Sequence, residues 1–201
     1  MNLIDEIEQF KNIQKLKFTY RFSWRTLNWE KESTAEHTWC MFVVADYLLE
    51  KLNQICPWKY NLDKLKIYEM IVYHDLIESE TWDVDLDPSA SELHKTKAQI
   101  EKEAFPIFLD KIPKELRKIY SEKIDEYEKR ETIESKFVKL VDVIEAEYQS
   151  IFYKYLRKNW SRDFYIQKRE KYHDYFPELK FIFFDMLDYL DENNYFNQDN
   201  S

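Results

Sequence analysis

The chain has 201 residues, a formal net charge of −9, and 44% hydrophobic and 17% aromatic residues. This length and composition predict one folded domain over residues 1–201, not a disordered chain. The acidic balance argues against a nucleic-acid polymer as partner, because phosphate backbones are bound by basic surfaces.

The absence of glycine from the sequence is informative, since average usage predicts about fourteen glycines in a chain of this length. Phosphate-binding loops built on glycine, including the P-loop and the dinucleotide fingerprint, are therefore excluded. Any bound phosphate must be held by side chains, by a metal ion or by a helix N-terminus.

The sequence also indicates a compartment. Cys40 and Cys56 are too few for a disulfide framework, and their spacing does not suit a zinc site. The N-terminus lacks the basic start and apolar stretch of a signal peptide. No run approaches the roughly 18 apolar residues of a membrane span. We predict a cytoplasmic protein with no membrane association.

The first half of the chain shows mostly helical periodicity. An apolar stripe begins at Leu3, and residues 17–32 read as a loop. Residues 33–36 have the form of a capping box that starts a helix running to about Leu52. The apolar residues of this helix are Trp39, Phe42, Val43, Ala45 and Leu48. After Pro57, Asn61 is the predicted cap of a helix that continues through Leu76.

The second half is also predicted to be helical. Residues 82–90 are rich in turn formers and read as a loop. Pro113 and Pro177 stand where they would begin helices. The predicted helices cover about residues 91–111, 114–128, 132–158, 161–170 and 178–192, before a short polar tail over about 193–201. No long strand-like alternation occurs, so the predicted fold class is all-α.

The dipeptide His74-Asp75 lies in an otherwise mostly apolar segment and is predicted to sit on a buried helix. Burying two such polar groups is costly unless something satisfies them. A divalent metal ion would do so, and so would a His–Asp hydrogen bond without metal. Glu78 follows at a spacing that places it on the same side of a helix. His173-Asp174 is a second His-Asp dipeptide, but its polar surroundings predict a surface position.

Two further residues have the right chemistry for a metal site. His37 falls in the first turns of its helix, where a capping or packing role is the alternative. Asp142 follows an apolar run, and its alternative partner is Lys139. Together these residues form a set of two imidazoles and two carboxylates on separate segments. Such a set leaves two open positions on a six-coordinate Mn, Co, Mg, Fe or Ni ion.

The order His…His-Asp…Asp resembles the signature of the HD superfamily. The closer likeness is to bacterial 5′-deoxynucleotidases and their HD-domain relatives in eukaryotes and phages. It extends from about residue 15 to residue 150. The matching stretches are residues 32–37, His74 to Asp83, Lys97 to Ala104, residues 126–128, and Lys136 to Asp142.

The resemblance implies an HD-domain helical bundle with one divalent metal ion. The implied metal ligands are His37, His74, Asp75 and Asp142. Glu78 and Asp83 match acidic residues that serve proton transfer and water positioning. Arg21 matches an arginine that contacts the phosphate, and Trp24 matches a tryptophan near the sugar. Lys97 and Lys139 are either substrate contacts or solvated charges.

The implied reaction is hydrolysis of a deoxynucleoside 5′-monophosphate to nucleoside and phosphate. Two alternatives stay open: a triphosphohydrolase, for which Lys97, Lys139 and Arg25 would supply cations, and a non-catalytic nucleotide-binding protein. Relatives are often homodimers, so a homodimer is expected here.

The sequence departs from the family pattern around the candidate site. Trp82 replaces a glycine of that pattern, so we expect the loop to turn differently there. Any one of Asp83, Asp85 and Asp87 could be the residue that points into the site. Arg25 is an alternative to Arg21 as the residue that contacts the phosphate.

Overall fold

The computed structural model describes residues 3–21, 32–83, 91–152 and 160–196. The described chain is helical, as predicted. Its α-helices are α1 (Leu3–Gln14), α2 (Thr34–Ile55), α3 (Lys64–Tyr73), α4 (Glu78–Thr81), α5 (Ser91–Asp110), α6 (Lys114–Lys129), α7 (Ile133–Phe152), α8 (Arg162–His173) and α9 (Lys180–Glu192). Short 3₁₀ helices cover Lys15–Phe18 and Pro177–Leu179.

The segment predicted as a loop before α2 contains a small sheet. Strand β1 (Tyr20–Arg21) pairs antiparallel with β2 (Glu32–Ser33), and Arg21 lies opposite Glu32. The pair was not predictable from alternation because each strand has only two residues. It fixes Arg21 opposite Glu32 in β2, the strand that directly precedes α2.

Helix starts follow local hydrogen bonding. The predicted capping box is confirmed: Ser33 Oγ accepts from the Glu36 amide at 3.2 Å, and Glu36 Oε2 accepts from the Ser33 amide at 2.7 Å. The prediction that Asn61 caps α3 is wrong. The Asp63 side chain caps it by accepting from the Lys66 amide. Helices α5 to α9 lie close to the predicted ranges, and residues 153–159 fall outside the described part.

Helix α7 is the centre of the core and packs against α2, α3, α6 and α8. Its apolar run is buried on nearly every side, which explains why hydrophobic residues there do not follow a single stripe. The largest buried cluster joins α7 to the inner faces of α2 and α3. It includes Met41, Ala45, Leu48, Ile67, Met70, Ile71, Phe137, Val141 and Ile144.

The apolar residues of α2 are divided between core and surface. Ala45 and Leu48 are fully buried, but Trp39 and Val43 are 66% and 56% exposed. On α1, Leu3 is likewise exposed, together with Ile7 and Phe10. Periodicity marks an apolar face but does not say whether another element covers it.

The C-terminal part forms a second cluster around α8 and α9. The prediction that His173 lies on the surface is wrong, since its side chain is fully buried. Its ring lies 4.9 Å from that of Phe183, and Nε2 faces Glu147 Oε1 at 3.4 Å. The polar tail begins where predicted, but Tyr195 is packed in this cluster. In the described part of the chain, no helix is both long and apolar enough to span a membrane.

Candidate metal centre

The four predicted ligands come from three separate segments, and ligand atoms of His37, His74 and Asp142 lie within 4.8 Å of one another. His37 lies in the first turn of α2, His74 and Asp75 directly follow α3, and Asp142 lies in the middle of α7. His37 Nε2 is 3.4 Å from Asp142 Oδ1 and 3.9 Å from Asp75 Oδ2. His74 Nε2 is 3.0 Å from Asp75 Oδ2. The two imidazoles and two carboxylates therefore face one another.

The sequence predicted that the His74-Asp75 pair lies within a helix, but the pair lies just after one. Helix α3 ends at Tyr73, and a tighter turn follows. The amides of Leu76 and Glu78 bond to the carbonyls of Tyr73 and Asp75, three residues back, which is 3₁₀ geometry. This turn carries the chain from α3 into α4 at the edge of the site.

The second nitrogen of each imidazole is held by another group. His37 Nδ1 hydrogen-bonds to Glu145 Oε2, and His74 Nδ1 donates to the Ile71 carbonyl at 2.8 Å. Both Nε2 atoms are buried and make no hydrogen bond to the described part of the chain. Metal-binding histidines usually show this pattern, because the outer partner fixes the ring with its free lone pair toward the ion. These residues therefore fit a divalent metal.

The carboxylates are prepared to bind a cation. Burial raises the pKa of Asp75. The nearby His74 and Lys97 outweigh burial and hold this pKa well below its usual range. Burial also raises the pKa of Asp142, but Lys139 and His37 outweigh it and hold this pKa well below its usual range. Both groups are therefore ionised at neutral pH. The mixed nitrogen and oxygen donor set suits Mn, Co, Fe, Ni or Mg.

Without a metal ion, the surroundings of His37 favour its protonated form. Burial and the nearby Arg21 lower the pKa of His37, but Glu145 and Asp142 outweigh them and raise it to about 9. A metal ion would replace this proton, because an imidazole must be neutral to donate its lone pair.

The predicted catalytic acids lie beside the predicted metal ligands. Glu78 is 2% exposed, and its Oε2 accepts a hydrogen bond from Thr34 Oγ1 at 3.1 Å. Lys97 Nζ lies 2.6 Å from Glu78 Oε1 and 3.3 Å from Asp83 Oδ1. Burial and the charges of Asp75 and Asp83 raise the pKa of Glu78 well above its usual range. Glu78 is thus suited to carry a proton near neutral pH.

The loop before Asp83 has a backbone conformation that glycine adopts more easily than other residues. Trp82 has φ 64° and ψ 160°, a region that residues with a Cβ atom rarely occupy. Its side chain is 63% exposed and gains little packing in return. Asp83 lines the cavity, and Asp85 and Asp87 lie outside the described residues.

Arg21 and Lys139 each lie beside a carboxylate of the centre. Arg21 Nη1 is 3.8 Å from Asp75 Oδ2, and Lys139 Nζ is 2.6 Å from Asp142 Oδ2. Lys139 is therefore the ion-pair partner of a predicted metal ligand, in agreement with the alternative partner that the sequence suggested for Asp142. Trp24 and Arg25 lie outside the described residues.

These groups open into one cavity of about 690 Å³, which is within the range of small-molecule sites. Its lining includes Arg21, Asp75, Glu78, Asp83, Lys97, Lys139 and Asp142. Sequence reasoning missed Glu145 and the role of Tyr127, whose hydroxyl donates to Asp142 Oδ2 at 3.1 Å. Glu145 follows Asp142 by three residues on a largely apolar helix, and this spacing was the available signal.

Comparisons with known proteins agree with this geometry. A family model described as HD domain matches residues 13–180. The 5′-deoxynucleotidase HDDC2 of Mus musculus is 30% identical over 156 residues, which covers 76% of this chain and 73% of that protein. The Homo sapiens protein of the same name is 27% identical over 175 residues, covering 86% and 77%.

Two solved structures share the architecture. One, from Magnetospirillum magnetotacticum and described as a predicted metal-dependent phosphohydrolase, has a TM-score of 0.75 at 20% identity, covering 97% of this chain and 98% of that one. An HD-domain phosphohydrolase from Listeria innocua has a TM-score of 0.62 at 18% identity, covering 91% and 84%. At these identities the likeness shows a common fold.

Proposed function

Because the chain belongs to the HD domain family, and is a metal-dependent phosphohydrolase, we propose that it hydrolyses deoxynucleoside 5′-monophosphates to nucleoside and phosphate. The bond broken is the one between the 5′ oxygen and the α phosphorus. The names of the two mammalian relatives support this substrate class.

The convergence of the two buried Nε2 atoms on Asp75 and Asp142 carries the proposal. His37, His74, Asp75 and Asp142 would hold one divalent ion. Such an ion supplies Lewis acidity toward a phosphate oxygen and makes water a stronger nucleophile at neutral pH. A buried His-Asp set without that role would leave two imidazole nitrogens unsatisfied at a free-energy cost.

The remaining residues have distinct roles in the proposal. Arg21 binds the phosphate, since a guanidinium pairs well with phosphate oxygens. Glu78, with its raised pKa, gives a proton to the departing 5′ oxygen. Asp83 accepts the proton of the attacking water, and Lys97 holds both acids in position. Trp24 is proposed to pack on the sugar.

A second candidate is a triphosphohydrolase that breaks the same bond and releases tripolyphosphate. The presence of Lys97 and Lys139 in the cavity favours it, because a longer phosphate chain needs more positive charge. Homodimer formation and a cytoplasmic location remain predictions beside either reaction.

The test is phosphate release from a panel of deoxy- and ribonucleoside mono- and triphosphates, with Mn, Co or Mg added after chelation. The wild type is compared with Asp75→Ala and with Asp174→Ala. Asp174 belongs to the other His-Asp dipeptide and is an exposed partner of Lys180. We expect metal-dependent phosphate release that Asp75→Ala abolishes and Asp174→Ala preserves. Nucleotide binding without any product would instead identify a non-catalytic protein.

A further inference from the structure

One part of the cavity at the candidate metal centre is lined by apolar and aromatic side chains. These are Ile77, Phe105, Tyr120 and Ile124. The Phe105 and Tyr120 rings are stacked, with centroids 5.7 Å apart and planes at 23°. Phe105 and Ile124 are only partly buried and pack on the cluster that contains Ile77 and Tyr120. Apolar and aromatic side chains that face a ligand cavity are suited to hold a flat, apolar part of a ligand.

The proposed reaction indicates which part of the substrate lies against this surface. Glu78 gives its proton to the departing 5′ oxygen, so the nucleoside lies on the Glu78 side of the centre. Helix α5 continues the cavity from there, because Lys97, Glu101 and Phe105 all line it at intervals of four residues. Each interval is a rise of about 6 Å, which a deoxyribose ring can span. The base attached to that sugar therefore reaches Glu101 and Phe105.

The hydroxyl of Tyr120 has no partner in this part of the cavity. Tyr120 is fully buried, and its hydroxyl makes no hydrogen bond to the described residues. Burial raises the pKa of Tyr120, and the charges of Glu101 and Asp75 raise it further, so the hydroxyl keeps its proton. A buried donor without a partner costs free energy. A ligand atom that accepts this hydrogen bond would remove that cost.

Glu101 supplies an acceptor beside this donor. Its ion-pair partner among the described residues is Lys97 at 3.6 Å, and Lys97 lies closer to Glu78, at 2.6 Å. Burial raises the pKa of Glu101, Lys97 lowers it, and the charges of Asp75 and Glu128 raise it again, with a raised pKa as the result. The carboxylate can accept further hydrogen bonds, and donors from a ligand would stabilise its ionised form.

We propose that this apolar part of the cavity is a nucleobase subsite in which Glu101 and Tyr120 select guanine, so that deoxyguanosine 5′-monophosphate is the preferred monophosphate. This inference rests on the proposed function and refines its substrate class. Guanine presents two donors, N1–H and the N2 amine, beside the acceptor O6, which matches a carboxylate beside a hydroxyl. Adenine and cytosine offer the carboxylate a single amino group. Thymine offers no amino group and places a carbonyl on each side of its one donor.

The experiment compares kcat/KM for deoxyguanosine and deoxyinosine 5′-monophosphate at a fixed free Mn²⁺ concentration. Deoxyinosine lacks only the N2 amine, so the ratio of the two values isolates the hydrogen bond to Glu101. The wild type should prefer the guanine substrate at least tenfold, because this bond is charge-assisted. Glu101→Gln should reduce the ratio at least threefold, since a neutral amide accepts a weaker bond. Glu103→Gln is the matched control: Glu103 is exposed on the same helix and is not among the described residues that line the cavity.

The ratio separates base selection from an effect through Lys97. Displacement of Lys97 would lower kcat/KM for both substrates equally and leave their ratio unchanged. Tyr120→Phe tests the other group, because it keeps the stacked ring and removes the unpaired hydroxyl. Without ligand, this variant should unfold at the wild-type temperature or higher. It should lower kcat/KM at least threefold for both substrates, since both carry O6.

An unchanged ratio in Glu101→Gln would overturn the subsite, and so would a wild type that hydrolyses the inosine or thymine monophosphate as well as the guanine one. A lower unfolding temperature of ligand-free Tyr120→Phe would overturn the role of the hydroxyl. If no nucleotide is hydrolysed, the proposed function fails. Isothermal titration with deoxyguanosine and deoxyinosine in chelator then decides the subsite: wild type should bind deoxyguanosine more tightly, and Glu101→Gln should lose this preference.

Discussion

Replacing Glu145 with glutamine is expected to weaken metal binding about 10- to 100-fold, the range typical for outer partners of metal-binding histidines. Glu145 is 3% exposed and bonds to His37 Nδ1. Glutamine keeps the size and can still accept that hydrogen bond. It removes the negative charge that makes the imidazole a stronger donor, so the loss corresponds to about 1.4–2.8 kcal/mol.

The chain offers a matched control for this substitution. Glu147 lies on the same helix, is fully buried and faces His173 instead of His37. Glu147→Gln therefore changes a buried His–Glu pair away from the metal ligands. Both variants should lose some stability, but only Glu145→Gln should lose metal affinity.

Isothermal titration of the chelated proteins with Mn²⁺ gives the affinity, and thermal unfolding with excess chelator gives the stability. Equal Mn²⁺ affinity in wild type and Glu145→Gln would refute the reasoning. So would an equal loss of affinity in Glu147→Gln, because the effect would then be a general consequence of destabilisation.

Three further outcomes follow from the geometry. Trp82→Gly should raise stability by about 1–3 kcal/mol, because glycine tolerates φ 64°; a lower unfolding temperature would contradict the strain. Lys97→Met should lower kcat/KM about 10- to 100-fold through loss of charge-assisted bonds to Glu78 and Asp83, whereas exposed Lys102→Met should not. The third concerns pH. His37 has a folded-state pKa of about 9, above the ordinary value of 6.5. Its protonation therefore stabilises the metal-free protein fully below pH 6.5, and this contribution is lost as the pH rises through 9. Unfolding temperatures measured in chelator should show this loss, and metal-loaded protein should not.

The His-Asp dipeptides show how far local sequence can predict a site. His74 and His173 are both buried, although only the first was predicted to be. The apolar neighbours of His74 gave a usable signal. The burial of His173 depends on α7 and α9, which meet it only in the folded chain. The candidate metal site differs from the second dipeptide because other segments converge on His74, and the order of residues along the chain indicated that convergence.

The parts that could not be predicted are those that depend on packing between segments. Trp39 and Val43 belong to an apolar face of α2 that the described residues leave exposed, and periodicity cannot tell such a face from a core face. Glu145 was missed because a glutamate on a long helix is usually solvated. The positive φ at Trp82 could not be predicted because a residue with a Cβ atom rarely adopts this conformation.

The central claim is that His37, His74, Asp75 and Asp142 together bind one divalent ion on which hydrolysis depends. The most direct test is to titrate chelated protein with Mn²⁺ and to measure bound metal and phosphate release from a deoxynucleoside monophosphate in the same samples. The account predicts that both rise together and saturate at one ion per chain, and that Asp142→Ala loses both. Full activity in the presence of excess chelator, or undiminished Mn²⁺ binding by Asp142→Ala, would contradict it.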